Sequence, residues 1–449
     1  MAPFQLLIDP ILLRRHGQDD AGGTRYPRYD AYPTCDYFVG AFGEPEVRDR
    51  ISCAGQTLAL TLHLPMCETN CRYCGCRKIV ARQRERVQKY IKCLEREIAL
   101  AGAACGEKRR VLRFHWRCTT PESLALALAE FSGIRRALRE TFTADAAATW
   151  TVDMDARTQL PGRMDALLEF GFNEISLLVQ DPGARAEESI TRCIQVARAA
   201  GFRSVHADFV YGYPKQRLDR FSALLETLIL QVPDSVTLLA HRAPPGVAKH
   251  AEPDFRTTIA PMLAHGAGLL VAAGYLHLGN ACFVKPLSPF AVAKTLGRLQ
   301  YGPQGFSVLP ETDVLGFGLS GISRVGSSYW QNLASIEEYC EAVDAGRLPV
   351  WRGLELSPDD LVRRAVIHSL ICNFRVSMEG IERSHLINFR KYFAHELDVL
   401  HGYADEGLVE LEPDWIVVTP QGKLVVQAIC ATFDRQRMTQ QRRKAEALI

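Results

Sequence analysis

Short apolar runs and stretches of helical spacing take turns along the first two-thirds of the chain. Runs of strand length cover residues 57–64, 111–116, 149–154, 174–179, 204–211, 236–240 and 275–279. Amphipathic segments at 87–101, 121–142, 163–170, 186–200 and 216–231 lie between them. Near-continuous apolar strands alternating with helices predict a parallel α/β sheet covered by helices. Right-handed crossovers repeated six or more times curl such a sheet into a full or partial barrel. Residues 1–55 show little periodicity, and Tyr26-Pro27-Arg28-Tyr29 and Tyr32-Pro33-Thr34 read as extended chain, because proline disfavours helix at itself and before itself. After about residue 300 glycines cluster in Leu315-Gly316-Phe317-Gly318-Leu319-Ser320-Gly321, and a mostly helical tail follows from Pro358. Within that tail, 408–411 and 415–419 suggest a short hairpin of winged-helix type. The expected organisation is an extended segment 1–55, a partial barrel 56–300 and a mostly helical domain 301–449.

Composition narrows the class. In 449 residues, 47% are hydrophobic and 23% charged, which excludes a mainly disordered chain. The 53 Lys and Arg balance 51 Asp and Glu, so no global field favours nucleic acid or acidic membranes. The basic stretch 435–444 reads as a solvated helix face rather than a nucleic-acid surface. No apolar run approaches the ~20 residues needed to cross a bilayer. Residues 1–9 lack a basic start followed by a long apolar stretch, so export is not expected and the cytoplasm is the expected compartment.

In that compartment the 14 cysteines are expected to stay reduced, most of them as small buried hydrophobes. Four fall together in Met66-Cys67-Glu68-Thr69-Asn70-Cys71-Arg72-Tyr73-Cys74-Gly75-Cys76, directly after the first apolar run. Structural zinc sites pair ligands from two separate stretches, and no distant Cys-x-x-Cys partner exists here. Three thiolates in one loop can instead hold three irons of a cubane and leave the fourth iron open for another ligand. An open position on a redox metal marks a reaction centre.

The spacing Cys67, Cys71, Cys74 resembles the signature of radical S-adenosylmethionine enzymes. With Gly75-Cys76 added, it is similar to the oxygen-independent coproporphyrinogen III oxidases. Tyr32-Pro33-Thr34, Asp208-Phe209-Val210-Tyr211-Gly212-Tyr213-Pro214-Lys215-Gln216, Trp351-Arg352-Gly353 and Ser369-Leu370-Ile371-Cys372-Asn373-Phe374 extend the likeness over nearly the whole chain. The resemblance implies a partial (β/α)6 barrel of radical SAM type, a 4Fe-4S cluster, and one or two molecules of S-adenosylmethionine. The implied reaction converts two propionates of coproporphyrinogen III to vinyls in anaerobic heme biosynthesis, by hydrogen-atom abstraction followed by loss of carbon dioxide and one electron. Ordinary general-base chemistry does not reach such an unactivated C–H bond. By the same resemblance Cys67, Cys71 and Cys74 hold the cluster. Tyr73, Thr119, Thr120, Asp153, Gln180, Asp208 and Ile322 contact the cofactor, and Cys76 lies near a second S-adenosylmethionine without binding iron. The implied partners are a tetrapyrrole, an electron donor and an electron acceptor; the chain is expected to act as a monomer, with no nucleic acid or membrane.

Departures cluster on the cofactor side. Where the family carries three glycines before Thr-Pro, this chain reads Trp116-Arg117-Cys118-Thr119-Thr120-Pro121, so side chains stand where bare backbone is useful. Thr61 replaces a tyrosine, and Asp153 a glutamate. These changes sustain a second reading: an altered paralogue that holds a cluster and handles tetrapyrrole or heme without decarboxylating it.

Overall fold

The computed structural model describes residues 9–16, 32–67, 79–80, 84–117, 131–156, 161–180, 185–213, 215–241, 253–302 and 305–436. Six strand–helix units follow one another. They are β1 (Thr57–His63) with α1 (Arg84–Cys105), β2 (Arg110–Arg117) with α2 (Ser132–Thr141), and β3 (Thr143–Asp155) with α3 (Pro161–Phe170). Then come β4 (Glu174–Val179) with α4 (Ala186–Ala200), β5 (Ser204–Tyr211) with α5 (Leu218–Leu230), and β6 (Ser235–Ala240) with α6 (Pro253–Ala272). All six strands pair in parallel in sequence order, which gives the partial (β/α)6 barrel that the alternation predicts.

The sheet runs beyond this unit at both ends. Past β6 it turns antiparallel through β7 (Leu276–Gly279) and β8 (Cys282–Val284), with β8 paired to β6. On the other side β9 (Asp313–Gly318) pairs with β1 in parallel, and β10 (Ile322–Val325), β11 (Ser328–Asn332) and β12 (Val350–Glu355) continue antiparallel. The twelve-stranded order is β12-β11-β10-β9-β1-β2-β3-β4-β5-β6-β8-β7.

Two expectations change here, and a third reaches beyond the described residues. The boundary expected near residue 300 does not interrupt the sheet, because β9–β12 belong to it and the mostly helical part starts only after Glu355. The N-terminal segment is not simply extended. It carries helices Pro10–Arg15 and Glu44–Ser52, the second with a proline in its first turn and Glu46 accepting from the Gly43 N–H, and Val39 bridges to Gly353 on the edge of β12. Of the helix expected at 121–142, the described part is α2, and residues 118–130 lie outside the described residues.

Beyond β12, α7 (Pro358–Asn373) leads into a three-stranded antiparallel sheet of Arg375–Ser377, Trp415–Val418 and Val409–Leu411, where the hairpin was expected. Ser357 caps α7 with a reciprocal box to Asp360, a strong start signal. Buried Arg363 pins the helix by donating to Asp359, Glu396 and the Phe433 carbonyl.

Strand alternation gives the sheet an outer face under the helices and an inner face. Leu58, Leu60, Leu62, Phe114 and Trp116 point outward into the main core, where Trp116 meets Phe131 at 4.4 Å between ring centroids. The inner face carries the polar residues. Cys93 of α1 and Cys340 of helix Ile336–Asp344 form a disulfide with Cα atoms 5.5 Å apart, where reduced thiols were expected. Cys105, Cys193, Cys372 and Cys430 are free and buried, as small apolar residues would be.

Gly316 shows how closely β9 and β10 approach. A Cβ there would overlap the Ile322 backbone, with the Ile322 nitrogen 2.7 Å away. Gly316→Ala is therefore expected to cost about 1–3 kcal/mol, since two backbones must part. Thermal unfolding of the variant checks this, and an unchanged melting temperature would contradict it.

Candidate active site

The cysteine loop begins where β1 ends. Met66 and Cys67 pair in parallel with Ile79 and Val80, so a two-residue ladder closes the loop at its base. Cys71, Tyr73, Cys74 and Cys76 lie outside the described residues, as do Thr119 and Thr120.

The scaffold under that loop is tightly fixed. His63, the last residue of β1, places Nδ1 2.6 Å from the Leu319 carbonyl oxygen. The Tyr90 hydroxyl donates to the His63 carbonyl at 2.7 Å and accepts from the Leu319 N–H at 3.0 Å. Two turns on, the Glu97 carboxylate accepts from the Gly318 N–H at 2.8 Å, from Asn332 Nδ2 at 2.6 Å and from the Tyr339 hydroxyl. Gly318 sits at φ +90°, and a Cβ there would strike the His63 carbonyl. Sequence reasoning missed this network. Its signal was a glutamate at the core spacing of α1, among Cys93, Leu94, Ile98 and Ala101.

Across the inner face, His115 Nε2 lies 2.6 Å from Asp153 Oδ1, and Arg117 Nε stands 3.9 Å from Asp153 Oδ2. Asp153 thus already has neighbours at both oxygens, one of them an arginine. His115 Nδ1 is buried and has no hydrogen-bond partner among the described residues. A buried ring nitrogen left open on a polar inner face fits a bound polar ligand, since such atoms are otherwise paired.

Below this pair the barrel is filled by charge. Arg113 is partly buried, and the desolvation lowers its pKa, while Glu174 and Asp153 oppose that shift. Burial would raise the Glu174 carboxyl, but the His206 ring, Arg113 and the Thr151 hydroxyl hold it below the usual carboxylate range. Thr151 donates to Glu174 at 3.1 Å, and His206 Nδ1 lies 2.8 Å from Ser235 Oγ. His206 Nε2 stands 3.8 Å from Glu174 Oε2.

Asp208 lies opposite Leu178 on one side and Thr237 on the other, and Thr237 is opposite Cys282. Burial pushes the Cys282 thiol up to about 12; a hydrogen bond with Thr237 lowers it, and Asp208 raises it further. Gln180 follows β4 immediately and is partly buried. Above Asp208, Leu178, Val210 and Leu239 form an apolar patch with Tyr213, separate from the main core. Ile322 stands on the far side of β1, reached across Thr61 and Gly316. The structure places Asp153 two residues before the end of β3, Gln180 just past the end of β4 and Asp208 within β5, three residues before its end, and sets Ile322 across β1 from them.

Known proteins resemble this chain in sequence and fold. The HemN C-terminal domain matches residues 356–425. Oxygen-independent coproporphyrinogen III oxidase of Escherichia coli K12 is 34% identical over 424 residues, covering 91% of this chain and 92% of its own. The Pseudomonas aeruginosa protein of the same name is 32% identical over 450 residues, covering 95% of both chains. The solved structure of the E. coli coproporphyrinogen III oxidase, described as a radical SAM enzyme, matches with a TM-score of 0.83 at 33% identity, over 91% of this chain and 97% of that one. On this likeness in sequence, fold and extent, the chain belongs to the oxygen-independent coproporphyrinogen III oxidase family.

Proposed function

We propose that this chain decarboxylates coproporphyrinogen III oxidatively, turning two propionates into vinyls. The observation that carries the reading is likeness over more than nine-tenths of the chain to relatives bearing that activity in their names. A cysteine run that follows β1 in sequence agrees with it. Cys67, Cys71 and Cys74 would hold the 4Fe-4S cluster, and Cys76 would stand free of it. When bound, the cluster and S-adenosylmethionine supply hydrogen-atom abstraction, and each propionate then loses carbon dioxide and one electron to an acceptor. The chain's own residues orient and exclude water. Asp153, steadied by His115, faces the cofactor side with Gln180 and Asp208, Ile322 covers it from β10, and the Leu178–Val210–Leu239 patch offers an apolar surface to a tetrapyrrole. Tyr73, Thr119 and Thr120 would complete the cofactor contacts. An electron donor must reduce the cluster, and we read the chain as a cytoplasmic monomer. Among the described residues no helix is long and apolar enough to cross a membrane.

One observation favours the second reading, an altered paralogue that binds a cluster without decarboxylating. Arg117 brings a cation to Asp153 where the family's bare backbone would meet the cofactor. Anaerobic turnover of reconstituted protein with coproporphyrinogen III, reductant and S-adenosylmethionine separates the two. Vinyl products with 5′-deoxyadenosine release support the enzyme. A cluster-loaded protein that yields neither would support the paralogue.

A further inference from the structure

β12 is the outermost strand of the extension, and its pairing with β11 slips by one residue. Gln331 is opposite Arg352, whereas Asn332 is opposite Val350. The extra residue is Trp351, and a bulge of this kind bends the strand and re-aims its side chains. Trp351 is left 48% exposed, with Arg352 Cζ 4.1 Å from its ring centroid. From the other side, Arg352 Nε donates to Gln331 Oε1 at 3.0 Å. The two Nη groups make no hydrogen bond or ion pair with the described residues.

That differs from an arginine spent on structure. Arg363 gives its donors to Asp359, Glu396 and a carbonyl, and Arg50 caps the same edge strand by pairing with Glu355. Arg352 instead has its plane fixed by an indole and an amide while its forked end stays open. A fixed guanidinium with two adjacent N–H donors is the geometry that takes a carboxylate in bidentate fashion.

Register places it with the site. Thr61 is opposite His115 and Gly316, Ile322 is opposite Gln331, and Gln331 is opposite Arg352. Paired residues share a face, so Arg352 lies on the face of Ile322, two strands away, or about 10 Å at the usual strand spacing. A macrocycle that carries carboxylates on its rim can span that interval.

We propose that Arg352, oriented by Gln331 and Trp351, clamps a carboxylate of the tetrapyrrole that is not undergoing reaction and so sets which propionate reaches the cofactor. This rests on the reading of the chain as a tetrapyrrole enzyme. The test measures binding of coproporphyrin III, and of its uncharged tetra-amide, to the cluster-reconstituted full chain by fluorescence. Arg352→Ala is expected to weaken the acid roughly ten- to hundredfold and leave the amide unchanged, as loss of a charged hydrogen-bond pair implies. Arg352→Lys should restore part of the loss, and Gln331→Leu, which keeps the charge but frees the guanidinium, should lose less than the alanine variant. If Arg352→Ala shifts acid and amide alike, or shifts neither, the clamp is wrong. If the unmodified protein binds neither porphyrin, the tetrapyrrole reading falls and the clamp with it.

Discussion

Alanine at Cys67, Cys71 or Cys74 will leave anaerobically reconstituted protein without its cluster, whereas alanine at Cys76 will leave the cluster in place. Each of the first three supplies one thiolate to a cubane that has only three from the protein, so losing any one leaves two irons without protein ligands. Metal analysis, acid-labile sulfide and the broad visible absorption of iron–sulfur proteins are the measurements. Release of 5′-deoxyadenosine on adding reductant and S-adenosylmethionine should vanish with the iron. The fold should survive, because the loop is closed at its base by Met66–Cys67 against Ile79–Val80, and β1 is held independently by β2, β9 and Tyr90. Far-UV circular dichroism separates cluster loss from unfolding. Full iron content in all four variants would show that the cysteines are not the ligands.

Much of the barrel is legible in the chain because the outward-facing positions of its strands are consistently apolar. β4 and β5 begin and end where the pattern places them, at Glu174–Val179 and Ser204–Tyr211. What escapes has a physical reason in each case. β10 and β11 are stabilised by pairing outward from β9, a long-range partner that no local pattern announces. α6 carries Pro261 inside it, and proline is the usual sign that a helix has ended. The helix Glu44–Ser52 did carry start signals, in Pro45 and Glu46, that outweigh its weak periodicity. For the site, the cysteine spacing was readable because the ligands are adjacent in sequence. Asp153 was found by likeness, but its capture by His115 and Arg117 required the β2–β3 register. Glu97 depends on partners hundreds of residues away and leaves no motif, whereas Arg352 falls in the Trp351-Arg352-Gly353 stretch but takes its orientation from a bulge that the stretch does not announce.

Glu97 is the residue whose titration should matter most for the fold. It is 3% exposed, and burial pushes its carboxyl up from 4.5 to about 7, against the lowering effect of Tyr339, the Gly318 N–H and Asn332. The folded protein therefore keeps a proton that the unfolded chain has already lost near pH 4.5. The contribution of this group to stability is greatest below pH 4.5, falls as pH rises to about 7, and is level above that. At about 1.4 kcal/mol per pH unit the full swing is about 3 kcal/mol. Glu97→Gln cannot ionise, so its urea midpoint should decline less than that of the unmodified protein between pH 5 and pH 7.5. Parallel midpoints across that window would refute the assignment. Glu97→Ala should be worse at every pH, by roughly 3–5 kcal/mol, because it strands buried donors on Gly318, Asn332 and Tyr339. Those donors fix the end of β9 beside His63, the residue from which the cysteine loop departs. The alanine variant should therefore lose reconstituted iron on mild warming before it unfolds, which links a buried carboxylate in α1 to retention of the metal centre.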